Sequence, residues 1–295
     1  MRVVSLLPSA TEIVFALGRG DQLVGVTFEC DYPAAAGDCR VVSTSALQPG
    51  LTPREIDEVV TSRMAAGEDL YHLDAGAFSQ LQPDIVLTQD LCAVCAVDVT
   101  RVEDALDHLG CGASVVTLDP STLDAVLDSI TEVGDALGAA REAAHLVGTL
   151  RDRLARLHLG VEGAPTPSVL LLEWTDPPFS AGHWVPDLIS AGGGEPVLSD
   201  PGGKSHRLSW QAVSAAQVDV VIVAPCGYHL DAAVQLATEL VATSRLPGDA
   251  SVWAVDADSY FVRPGPRLVD GAELVGQILH PELCAPPDPL RARRI

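Results

Sequence analysis

Basic residues are scarce in this chain: 18 lysines and arginines stand against 40 acidic residues, a formal net charge of −22. So few cations build no basic face, and a nucleic-acid partner is excluded on that ground. The acidic balance favours solubility and repels anionic surfaces. The one basic cluster, Arg291-Ala292-Arg293-Arg294, follows Pro286-Pro287-Asp288-Pro289 and is expected to be a frayed tail. No apolar run is long enough to cross a bilayer, so no membrane insertion is expected. No basic stretch, apolar segment and small-residue cleavage site open the chain, from which a cytoplasmic protein with reduced thiols is expected. Cysteines number 7, an odd count that does not suit a small secreted disulfide scaffold. Nucleophile elbow, P-loop and dinucleotide fingerprint are all missing. The run Gly192-Gly193-Gly194 follows an expected helix, so it reads as a helix-ending turn.

What is present is a repeating pattern. The chain has 295 residues, 47% of them hydrophobic and 20% charged, which predicts one large or two medium domains with a sizeable core. Apolar runs at 3–7, 23–27, 85–88 and 114–118 predict buried strands, and helix-start signals stand between them. Ser9…Glu12 and Thr52-Pro53-Arg54-Glu55 have the spacing of capping boxes, and Thr100-Arg101-Val102-Glu103 opens a further helix. The second half repeats the alternation, with strands at 169–172, 218–223 and 252–255 and helices at 185–190, 230–242 and 267–279. Between the halves, apolar residues from Leu123 to Leu157 recur at spacings of three and four. Ser121 is the expected cap, and a helix unbroken to His158 would be roughly 55 Å long. The predicted class is α/β: two lobes with mostly parallel sheets on one long helix. Its parts are a lobe at 1–120, a helix at 121–160, a lobe at 161–285 and a tail at 286–295. Ligands of such sheets sit beyond the carboxyl ends of the strands, and with two lobes those loops are expected to face a cleft.

This architecture resembles the class III substrate-binding proteins. The motifs Val24-Gly25-Val26, Asp31-Tyr32-Pro33, Asp176-Pro177-Pro178-Phe179-Ser180-Ala181-Gly182, Gly192-Gly193-Gly194-Glu195 and Pro266-Arg267-Leu268-Val269 resemble the cobalamin-binding branch. The resemblance covers residues 2 to about 282. It implies capture of a small-molecule ligand, a corrinoid, haem or ferric chelate, for a membrane transporter. It also implies one docking glutamate per lobe. The matching positions are Gly76, with Asp74 nearby, and Ala216, so transporter docking is expected to be lost. An extra segment, Ser43–Asp74, follows the second strand.

The expected strand tips carry candidate chemistry. Cys92 and Cys95, three residues apart in a loop, have the spacing to grip one soft metal such as Zn or Fe, with Cys30 as a third ligand. A redox dithiol or plain packing of buried thiols fits the same residues. No second CxxC exists to make a zinc ribbon. Trp174, Trp184 and Tyr32 offer stacking surfaces or ordinary packing. His183 and His229 are candidate metal ligands, and Tyr228 follows the strongest strand of the second half. Arg263 is a partner for an anionic substituent. Glu173 stands out because a carboxylate directly after buried apolar residues is costly unless paired or functional. The leading expectation is a cytosolic binder of cobalamin or another corrinoid. The alternatives are a metal-dependent enzyme with Glu29 or Glu173 as acid or base, and a transport receptor whose leader lies outside this sequence.

Overall fold

The computed structural model describes residues 1–68, 70–89 and 112–295. Cys92, Cys95 and the helix expected from Thr100 lie outside the described residues. Two compact units divide the chain: Met1–Pro120 with Leu127–Gly148, and Ser121–Val126 with Thr149–Ile295.

In the first unit the strands are β1 (Val3–Ser5), β2 (Leu23–Val26), β3 (Arg40–Val41), β4 (Ser43–Ser45), β5 (Tyr71–Leu73), β6 (Ile85–Thr88) and β7 (Ser114–Thr117). Among the described residues the main sheet runs β3-β2-β1-β6-β7, all parallel. β1 and β6 are buried throughout, as strands covered on both faces must be. Gly25 stands in β2 because a Cβ there would lie 2.9 Å from both Leu81 and Val42. The extra segment pairs its ends as the antiparallel β4 and β5 around the helix Pro53–Ala66. That helix has its predicted capping box: Thr52 donates its N–H to Glu55 at 2.8 Å, and the Thr52 hydroxyl accepts from the Glu55 N–H at 3.4 Å.

The box at Ser9 does not form. The helix starts one residue earlier, at Pro8, with Leu7 as an extended cap that has no side-chain bond. Proline suits the first helical position because its fixed φ is already helical and its missing N–H leaves nothing unpaired. Ser9 and Glu12 are then turned into the interior, both buried.

The single long helix is replaced by two, Leu123–Ala136 and Ala140–Val161. Gly138 adopts φ 63°, the left-handed conformation that ends helices. The Ala139 N–H closes back on the Gly134 carbonyl at 2.7 Å. A Cβ on Gly134 would lie 2.4 Å from that of Ala143, so this glycine lets the two helices approach at the turn. At the start of the first helix Thr122, not Ser121, supplies the cap, its hydroxyl accepting from the Ala125 N–H at 3.2 Å.

The second unit contains β8 (Ser168–Thr175), β9 (Pro178–Ser180), β10 (Glu195–Pro196), β11 (Val220–Val223), β12 (Ser251–Val255) and β13 (Ala292–Arg294). The order is β10-β8-β11-β12-β13, with β9 folded back on β8. β10, β8, β11 and β12 are parallel. All four valine and isoleucine residues of β11 are buried, each stabilising by about 1.5–3 kcal/mol relative to exposure. Arg153 clamps the last helix, Leu268–Leu279, through Asp270 at 2.8 Å and Glu273 at 2.6 Å.

The basic tail is not frayed. β13 adds antiparallel to the open edge of β12, pairing Trp253 with Arg294 and Val255 with Ala292. Backbone groups of an edge strand need partners whatever the side chains, and this segment supplies them.

Candidate functional site

In the second unit the carboxyl ends of β8, β11 and β12 bring three of the expected residues together. β8 ends at Trp174-Thr175, and β11 leads through Ala224-Pro225 into Cys226, Gly227, Tyr228 and His229. The Cys226 N–H donates to the Glu173 carbonyl at 3.0 Å, which holds the two loops side by side. Trp174 and Tyr228 meet edge-to-face, centroids 5.7 Å apart and planes at 69°. Burial pushes the Tyr228 phenol above its ordinary value of 10.0, so it is a hydrogen-bond donor at neutral pH.

His229 caps the entry to the helix Leu230–Ala242 and leaves 59% of its side chain exposed. Its Nδ1 lies 3.1 Å from Asp256 Oδ1. An ionised carboxylate only accepts, so a hydrogen bond between the two is donated by Nδ1. This is the carboxylate–imidazole arrangement that orients a histidine toward a metal. Asp256 is fixed in turn by the Ser259 N–H at 3.1 Å. Asp258 Oδ2 stands 3.6 Å from His229 Nε2 and is bonded to the Arg263 guanidinium. Asp256 and Asp258 were not singled out in the sequence. The available signal was an Asp-x-Asp-Ser run directly after a buried strand.

Other expected residues serve the loops. Glu173 Oε1 accepts the Gly182 N–H at 2.8 Å, which answers the cost of a carboxylate after a buried strand. A Cβ on Gly182 would fall 2.2 Å from the Ser205 nitrogen, so this approach of backbones requires glycine. Trp184 is buried at 6% exposure and donates its indole N–H to the Phe261 carbonyl at 2.7 Å, a packing role. Arg263 is 8% exposed, with its charge directed at Asp258. His183 adopts φ 50°, and its buried Nε2 has no hydrogen-bond partner. Burial, then Lys204, lowers its pKa from the ordinary 6.5, keeping the imidazole neutral.

In the first unit the loop after β2 carries Glu29, Cys30 and Tyr32. Cys30 is buried, its sulfur 3.0 Å from the Thr11 hydroxyl. Among the described residues no three-ligand metal group includes it. Glu29 accepts from the Tyr71 hydroxyl at 3.4 Å, and Tyr71 rests on Phe28 with centroids 6.0 Å apart. Tyr71 belongs to the extra segment, so that segment shapes the loop. Tyr32 is exposed.

Residues 3–243 match the periplasmic binding protein family. The chain belongs to that family. Its two α/β units with mostly parallel sheets share their fold with solved periplasmic binding proteins. It is 26% identical over 284 residues to the vitamin B12-binding protein of Vibrio cholerae, covering 93% of this chain and 87% of the relative. It is 25% identical over 291 residues, 95% of this chain and 80% of the relative, to an uncharacterized ABC transporter substrate-binding lipoprotein of Bacillus subtilis. The crystal structure of a periplasmic heme binding protein from Pseudomonas aeruginosa superposes with a TM-score of 0.69 at 22% identity, over 99% of this chain and 97% of that one, a likeness of fold. As a periplasmic binding protein, the chain binds a small-molecule ligand.

Proposed function

We propose that this binding protein captures a flat metal-chelate ring, a corrinoid such as cobalamin first, on the strand-tip ledge of the second unit. The supporting observation is the pairing of Trp174 and Tyr228 beside an exposed imidazole held at Nδ1 by Asp256. The aromatic pair offers apolar surface to a ring face. Imidazole is a common metal ligand, and the Asp256 contact orients the ring of His229. Two relatives support the same ligand class by name, one a vitamin B12-binding protein and one a heme binding protein.

Delivery to an ABC transporter is the wider role that the relatives' names suggest. Paired docking glutamates are not part of our reading: Gly76 and Ala216 carry no carboxylate, and Asp74 Oδ1 accepts the Ala77 N–H at 3.0 Å as a helix-start contact. The test of the ligand class is calorimetry with cyanocobalamin, dicyanocobinamide and hemin on the purified chain. Saturable heat with a corrinoid supports the reading, and no heat with any of the three removes it.

A further inference from the structure

We propose that the loop 200–207 of the second unit recognises an oxyanion, a carboxylate or phosphate, on the rim of the ring ligand, with Lys204 supplying charge and His206 a directed N–H donor. The inference rests on the proposed function for the ring, and on the loop's own geometry for the oxyanion.

The loop is continuous with the aromatic ledge. Phe179 of β9 pairs with Trp174 of β8, and Arg207 bridges Phe179 in turn. Residues paired in this way lie side by side on one face. Trp174, Phe179 and Arg207 therefore form a row two strand spacings, roughly 10 Å, wide. The Arg207 guanidinium lies 5.6 Å from the centre of the Phe179 ring. Backbone bonds hold the residues before it. The Gly202 N–H donates to the His183 carbonyl at 3.0 Å, and the His183 N–H to the Gly203 carbonyl at 2.5 Å.

Ser180 sets the donor. It is fully buried, and its hydroxyl oxygen accepts the His206 backbone N–H at 3.1 Å. A buried hydroxyl must also place its own proton. His206 Nδ1, at 3.0 Å, is the acceptor in reach among the described residues. In the neutral ring the imidazole proton is then on Nε2. The exposed His206 thus offers a donor, not a lone pair for a metal. Lys204, the one lysine of the chain, is exposed two residues before it. Against Lys204 and Arg207 the loop sets a single carboxylate, Asp200, a positive balance in a chain of net charge −22. A cation beside an oriented N–H matches a group that only accepts, an ionised carboxylate or phosphate.

The first measurement uses no ring ligand. Inorganic phosphate is titrated in mildly alkaline buffer while the backbone amide and His206 ring signals are followed by NMR. Saturable shifts at Lys204 and His206 are expected, absent with chloride at equal ionic strength, lost in Lys204→Gln and kept in Lys204→Arg. The His206 ring is expected to carry its proton on Nε2 in the wild type and to become a mixture of tautomers in Ser180→Ala. The second measurement compares cyanocobalamin, which carries a phosphodiester, hemin, which carries carboxylates, and dicyanocobinamide, which carries neither. Lys204→Gln and His206→Ala are expected to weaken an oxyanion-bearing ligand about 10-fold and dicyanocobinamide by less than about twofold. A loss with cyanocobalamin assigns a phosphate, and a loss with hemin a carboxylate. An equal loss with dicyanocobinamide, or no phosphate-induced shift at Lys204 and His206, overturns the inference. If the wild type binds no ring ligand, the proposed function fails while the phosphate titration still decides this point.

Discussion

In the first unit, the residues beyond the strand tips are held by side chains: Cys30 by Thr11, Thr27 by Ser43 at 2.7 Å, and Glu29 by Tyr71. In the second unit backbone ladders share that work with side chains. β9 folds back along β8, β13 runs along β12, and Glu173 and Asp256 each fasten a neighbouring N–H. Backbone ladders fix a loop whatever its exposed side chains are, and Trp174, Tyr228 and His229 stand at the tips so held. Among the described residues, the polar tip residues after β2 in the first unit serve their own loop. Where a fold supplies part of the scaffold from the main chain, fewer side chains are needed to hold a loop.

Glycine replacement should separate the two regions most sharply. Gly182→Ala would drive a Cβ to 2.2 Å from the Ser205 nitrogen, where only backbone movement relieves it. A loss of about 3 kcal/mol is expected from denaturant unfolding, at the upper end for overpacking. Gly25→Ala in the first unit meets only side-chain methyls at 2.9 Å and should cost roughly 1–2 kcal/mol. Equal losses would break the contrast.

Next in size are the buried side-chain bonds. Trp184→Phe leaves the Phe261 carbonyl unpaired in the interior and should cost about 2 kcal/mol. Thr11→Val in the first unit removes only a hydroxyl–sulfur contact and should cost less than about 1 kcal/mol, because sulfur is a weak partner. Ligand affinity sharpens the comparison at smaller energies. Trp174→Ala is expected to weaken binding about tenfold, or 1.4 kcal/mol. Tyr32→Ala should weaken it by less than about threefold.

The smallest effect concerns acid. The depressed pKa of His183 means that the unfolded chain takes up its proton before the folded one does. Stability therefore falls as pH drops through the ordinary histidine value of 6.5, and is kept above it. His183→Asn, a residue that tolerates φ near 50°, should flatten that part of the profile of melting temperature against pH. An unaltered slope would contradict the assignment.

Most strands and helices were legible because their burial is periodic: Ile85–Thr88 and Leu230–Ala242 fall where the pattern put them. Three features were not. Ser9 and Glu12 have the spacing of a capping box, but Pro8 takes the first helical position ahead of them. Gly138 falls inside the expected long helix, yet a glycine followed by a fresh Ala140-Arg141-Glu142 start also permits a turn, and packing of Gly134 on Ala143 selects it. The tail reads as disordered from its composition, while what orders it is the open backbone edge of β12, to which composition is blind. The site divides in the same way. Aromatic and histidine candidates after β8 and β11 follow from the tip rule. Which polar residues are taken up by the loops, as Glu173, Trp184 and Arg263 are, depends on backbone groups brought close only by folding.

The account turns on an outward imidazole reaching a ring-held metal, and visible absorption reads that contact directly. Titrating the wild type with aquocobalamin should shift the corrin bands saturably as His229 takes an axial position, and His229→Ala should abolish the shift. No shift in the wild type, or the same shift in His229→Ala, would contradict it.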